Sequence, residues 1–291
     1  MLELQSMLME NSTENSLQNS TRGTITKDFG CPNIAAFDFF ASAIIWFDII
    51  ACVSTGSSPH LAEHHCNLIS QLQPSGSSEH DTTFQLERIM GCQNWAMVII
   101  GQIAVLANRH QENLLDAKQL AIAAKDIHDR LEYHNSQTLT SLQNLQREYR
   151  GPPPHYLSLV YTHYTTLVVT RIFSCTAIIY LQTVINAHPT IDHIQEPLKE
   201  VMSAMSLIPD PRMVRGMVWP LCIAGCMASR SADQSFFREK AEDAVKDAGM
   251  MGNSGKAMEI LEMSWRMQRS EGRLVDCATC LRKLGTCVLL A

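Results

Sequence analysis

The chain has 291 residues, is 46% hydrophobic and 18% charged, and carries a formal net charge of −6 at pH 7. That size and balance suit one large or two smaller globular domains with a sizeable core. They argue against a surface built to clamp nucleic-acid backbone, which would need an excess of Lys and Arg. The ten cysteines sit mostly inside apolar runs. There a free thiol packs as a small hydrophobe, and so long a chain needs no disulfide staples, so a reducing, intracellular setting is expected.

Residues 1–30 are rich in Ser, Asn and Thr and read as a disordered leader, with residues 31–291 as one all-helical domain. The leader lacks the basic and apolar regions of a signal peptide. The sequons at Asn11 and Asn19 therefore carry no weight. Asn33 is placed to cap a first helix that Gly56 would stop. Phe37, Phe40, Ala41, Ile44, Phe47 and Ala51 follow one helical face, and Ile45, Trp46 and Ile49 cover another, which predicts a helix packed on most sides. Asp48 within it then needs a hydrogen-bonding partner. A turn at Ser57-Ser58-Pro59, a short helix and a polar loop over residues 73–82 follow.

Residues 86–107, LERIMGCQNWAMVIIGQIAVLA, run more than twenty residues without proline. They predict one buried helix with Cys92 and Trp95 as packing anchors. Gly91 and Gly101 weaken an isolated helix, so they suggest close helix approach, as do Gly216 and Gly225. Residues 116–146 form an amphipathic helix on Leu120, Ala124, Ile127 and Leu131, with a polar end expected to fray. Gly151-Pro152-Pro153-Pro154 centres a long loop near residues 147–157. A long apolar helix over 158–187 and another over 192–207 come next. The apolar run 213–229 contains Trp219, an anchor, and Pro220, which should kink or restart it. Helices over 233–248, 255–269 and 273–284 close the chain. No alternating strand pattern occurs, so the fold class is all-α, a large multi-helix orthogonal or bundle-like domain with no sheet.

Three apolar stretches, 37–53, 165–185 and 213–228, invite a membrane reading. Asp38, Asp48, Arg171 and Arg215 interrupt them, and a central charge costs roughly 2.5–3.5 kcal/mol in a spanning helix. Buried helices of a bundle explain them better, and no membrane role is expected.

No catalytic constellation, cofactor motif or complete metal site emerges. Cys277, Cys280 and Cys287 have the spacing of half a zinc binuclear cluster, but three thiolates do not complete a structural zinc site. Leu274, Cys277, Leu281, Leu284 and Val288 step as a helix face, so these cysteines read as core. His60 and His64 are four apart and could share a metal, with His65 and Cys66 beside them. Without a third ligand at a fitting distance they read as a solvated cluster. Cys222 and Cys226 read as core, and Gly249, Gly252 and Gly255 are too loosely placed for a phosphate cradle. Fifteen methionines could line an apolar pocket but more often fill core gaps.

Four segments in order carry a family resemblance: FFASAIIWFDIIACVSTG at 39–56, IMGCQNWAMVIIGQIAVL at 89–106, AIIYLQTVINAHP at 177–189 and MVRGMVWPLCIAGCMA at 213–228, with the tail LRKLGTCVLLA. Together they resemble the fungus-specific regulatory domain found C-terminal to the zinc binuclear cluster in fungal transcription factors. The resemblance implies an all-helical, nuclear transcription regulator of a metabolic or biosynthetic gene set. It would act through protein partners, such as a second copy or another transcription factor, or through a small-molecule effector. The family's six-cysteine DNA reader is missing from this sequence, and residues 1–30 contain no cysteine. That implies DNA contact only indirectly or through a module absent here. The resemblance carries no catalytic residue. The alternative reading is an all-α enzyme, or a binding protein for hydrophobic ligands, built around an apolar pocket.

Overall fold

The protein is described here from a computed structural model, which covers residues 32–62, 86–186, 189–246, 253–285 and 290. Among the described residues every regular element is a helix and no strand forms, so the fold is all-α. Residues 37–291 make up one compact unit, and residues 1–36 form a second, described only over 32–36. The expected leader and the polar loop at 73–82 lie outside the described residues.

Helix α1 spans Pro32–Thr55. It starts one residue before the expected cap, with proline in the first position, where its missing N–H leaves no acceptor unsatisfied. Gly56, at φ +70°, ends it as expected. One expectation fails here. Ile45, Trp46, Ile49, Ile50 and Val53 are buried, but Phe39, Phe40, Ile44 and Phe47 are 42–63% exposed. A helix that is apolar all round gives no periodicity from which to tell the inward face.

The predicted continuous helix over 86–107 is broken. A single turn, α2 (Glu87–Met90), ends at Gly91, whose φ of +66° lies in the left-handed region. Helix α3 (Asn94–Gln111) then starts from extended Gln93. Side chains tie the break down: the Leu86 N–H donates to Asn94 Oδ1 at 2.9 Å and the Gln93 N–H to Thr170 Oγ1 at 2.9 Å. Gly91 thus serves a turn rather than a close helix crossing.

Helix α4 (Ala117–Tyr149) opens with a reciprocal capping box between Asp116 and Gln119. Its buried stripe runs through Leu120, Ala124, Ile127 and Leu131, then continues through Asn135, Thr138 and Leu142. The polar half expected to fray is therefore helical, because its few core-facing positions keep the helical step. Helix α5 (Ser158–Ile185) is central and packs against α3, α4, α6 (Ile191–Ser206) and α7 (Val218–Cys226). Among the described helices it alone is long and apolar enough to cross a membrane, yet 78% of its apolar window is buried inside the protein. It is accounted for as the core helix of the bundle.

A 3₁₀ segment, Pro211–Met217, leads into α7. Pro220 falls in the first turn of α7, where no helical acceptor waits for its N–H, so it accompanies a restart rather than a kink. Helices α8 (Ser231–Lys246), α9 (Asn253–Glu271) and α10 (Cys277–Leu284) pack around α7. Helices α7 and α9 approach closely at Gly225, where a Cβ would sit 2.5 Å from Leu261 Cδ2. The expected crossing at Gly216 is absent, with nothing within 4 Å of a Cβ there. Helix α10 starts later than expected because Asp276 caps it, accepting from the Thr279 N–H at 2.6 Å.

Candidate functional site

The anchors expected from the sequence have different surroundings. Trp46 is buried, and no hydrogen-bond partner reaches its Nε1. Asp48 accepts the His60 and Leu61 N–H groups, each at 2.9 Å, and so satisfies the turn after α1. Cys92 is buried, and desolvation pushes its thiol pKa far above the usual range. Trp219 is buried between Phe173, stacked at 5.7 Å, and Tyr180, edge-on at 6.1 Å. Trp95 differs. It is only half-buried, stacks on His134 at 4.7 Å and donates its Nε1–H to Gln93. It covers the junction of α3 and α4 rather than filling the core.

His60 is exposed, and its proposed companions His64, His65 and Cys66 lie outside the described residues, as do Cys287, Gly249 and Gly252. Cys277 and Cys280 are buried, and the fold adds what their spacing did not reveal. Cys226 of α7 interacts with both through side-chain hydrogen bonding, and Cys277 also interacts with Cys222. Hydrogen bonding from Cys222 and from Cys226 raises the Cys277 and Cys280 thiols respectively, and burial raises Cys226 first of all. Such thiols stay protonated and unreactive. Among the described residues no three His, Cys, Asp or Glu side chains converge closely enough to hold a metal ion.

Two concavities stand out. One, of about 180 Å³, lies where α1, α3, α5, α7 and α10 meet, lined by Cys52, His110, Tyr180, Ile223 and Cys277 among others. The second is larger, about 430 Å³, and runs between α4, α5 and α6. Its base is Arg171, whose side chain is 8% exposed and pairs with Glu200 of α6. The guanidinium also donates to the Asn135 carbonyl at 3.3 Å. Ser174 donates to the Asn135 side-chain oxygen, but the Asn135 Nδ2 is buried and has no hydrogen-bond partner. His128 presents a second orphan, its Nδ1.

Glu132 and Glu196 stand on opposite walls of this cleft, on α4 and α6. Leu139, Cys175, Ile178 and Pro197 supply apolar surface. Burial pushes the Cys175 thiol up to about 12, with Arg171 opposing the shift. Burial thus holds this thiol of the lining in its protonated form. In the sequence Arg171 stands out only as a charge that opposes membrane insertion. The remaining clue was an asparagine on the apolar stripe of α4, at the helical step after Leu131.

Residues 8–291 match the family described as "Fungal specific transcription factor domain". The chain is 30% identical over 305 residues to "Transcription factor dibT" of Pestalotiopsis microspora, covering 96% of this chain and 46% of that protein. It is 30% identical over 242 residues to "Trichothecene biosynthesis transcription regulator TRI10" of Trichoderma arundinaceum, covering 81% and 49%. It is 25% identical over 272 residues to "Pestheic acid cluster transcriptional regulator 3" of Pestalotiopsis fici, covering 92% and 46%. The chain spans about half the length of these curated relatives. No solved structure matches it.

Proposed function

The chain belongs to the fungal specific transcription factor domain family, and on that premise we propose that it regulates transcription of a fungal biosynthetic gene set. The observation that carries this reading is the match over residues 8–291, joined by relatives named as regulators of biosynthesis or of a biosynthetic cluster. Their names are those of transcription regulators, not of enzymes. The reading places the protein in the nucleus, with DNA reached through another module or another factor. A role in protein contacts with a second copy or a second transcription factor is supported by the exposed Phe39, Phe40, Ile44 and Phe47 of α1, since apolar surface of this kind commonly marks interaction sites.

The test is deletion of the gene in its host followed by transcript sequencing, with a fluorescently tagged copy restored. A coherent loss or gain of transcripts from one biosynthetic gene set, reversed by a nuclear tagged copy, is expected. An unchanged transcript profile under conditions that induce such sets would refute the proposal.

A further inference from the structure

We propose that the cavity where α1, α3, α5, α7 and α10 meet binds a small neutral organic molecule with an apolar body and one hydrogen-bonding oxygen. Tyr180 of α5 lines this cavity and is 9% exposed. Its ring packs edge-on against Trp219. Its hydroxyl has no hydrogen-bond partner among the described residues. The indole nitrogens of Trp46 and Trp219 are also unpartnered, but they are sealed; the Tyr180 oxygen keeps accessible surface. Cys52, on the same lining, lies near enough to act electrostatically on that hydroxyl, which sets this end of the ring at the cavity. A buried hydroxyl without a partner is costly, and a ligand that completes it recovers that cost.

Size and charge narrow the ligand further. The cavity volume is about 180 Å³. An apolar cavity of about 150 Å³ takes up benzene, so one six-membered ring with a short substituent fits. Val53, Ala104, Val184, Ile223 and Met227 supply apolar wall for the ring. No Lys or Arg lines the cavity among the described residues. Its carboxylate, Asp276, already caps α10 by accepting the Thr279 N–H at 2.6 Å. His110 of the lining is exposed and meets water. The Cys52 thiol beside Tyr180 is pushed up to about 11 by burial and stays neutral. A charged ligand group brought to Tyr180 would therefore be desolvated without a counter-charge, which costs more than one hydrogen bond returns.

The experiment titrates the purified full chain by calorimetry with benzyl alcohol, ethylbenzene and benzylamine, which share one shape, and with benzoate. Benzyl alcohol is expected to bind, with benzylamine and benzoate each about tenfold weaker or worse. Tyr180→Phe keeps the ring against Trp219 and removes a hydroxyl that bonds nothing in the protein, so its melting temperature should not change. It is expected to weaken benzyl alcohol by about fivefold, the worth of one neutral hydrogen bond, and to leave ethylbenzene unaffected. No heat from benzyl alcohol would leave the cavity a place for water alone and overturn the proposal. Benzylamine or benzoate binding as tightly as the alcohol, full alcohol affinity in Tyr180→Phe, or an equal loss of alcohol and ethylbenzene in that variant would each overturn it as well. The readout uses only the purified chain and does not depend on its role in transcription.

Discussion

Trp219 is 1% exposed, yet its indole N–H has no hydrogen-bond partner. Two consequences follow from the same ring. Trp219→Ala removes a core aromatic and should cost about 3–5 kcal/mol. Trp219→Phe also removes the unsatisfied donor, so it should cost much less than the alanine variant. Trp95, half-buried over His134, should lose only about 1–2 kcal/mol on truncation to alanine. Urea titrations of the three variants give the order directly, and equal losses for Trp95→Ala and Trp219→Ala would contradict this placement. The buried thiols predict a pH dependence. Burial raises Cys92 far above its usual value and Cys175 to about 12. Above about pH 9 the unfolded chain releases these protons while the folded chain keeps them. Stability should therefore hold below that value and fall as pH rises beyond it, by up to about 1.4 kcal/mol per pH unit for each such thiol. Urea midpoints at pH 7, 9 and 10 check this, and Cys92→Ala should flatten the decline.

At the level of the helices, Gly91 separates two readings of residues 86–107 by sign. In the middle of one continuous helix, Gly91→Ala would stabilise the protein by up to about 1 kcal/mol. At the observed φ of +66° a Cβ is strained, and the same change should destabilise it by about 1–2 kcal/mol. Thermal or urea denaturation of the single variant decides between them. This position also shows how much of the fold the sequence could disclose. Helix existence was legible wherever apolar residues stepped at helical spacing, as on α4, or where a proline or a capping residue marked an end, as at Gly56 and Pro220. The break at Gly91 was not legible, because the hydrogen bonds that hold it come partly from Thr170, on a helix distant in sequence. The inward face of α1 was hidden for a different reason, since both of its faces are apolar. The cleft was the least visible feature. Asn135, Arg171 and Glu200 meet only when α4, α5 and α6 pack, and no spacing along the chain encodes that meeting.

For the chain as a whole, charge decides what it can hold by itself. It has 23 Lys and Arg against 29 Asp and Glu. Several of the arginines are already engaged locally: Arg171 with Glu200, Arg212 with Asp210, Arg230 with Asp233 and Arg238 with Glu262. DNA binding draws much of its free energy from cations that replace the counterions of phosphate, and a cation paired with a carboxylate must give up that partner first. The helices do not offset this. The exposed face of α4 carries Asp126, Asp129 and Glu132, and α5 is a core helix enclosed by its neighbours. This chain alone should therefore give no competitor-resistant shift of promoter DNA at physiological salt, and any low-salt association should vanish steeply as salt is added. Gel-shift titrations across salt concentrations measure both effects. A nanomolar, sequence-selective complex at physiological salt would mean that a local basic surface outweighs the acidic total, and the division of labour proposed above, in which another module or factor reads the DNA, would have to be abandoned.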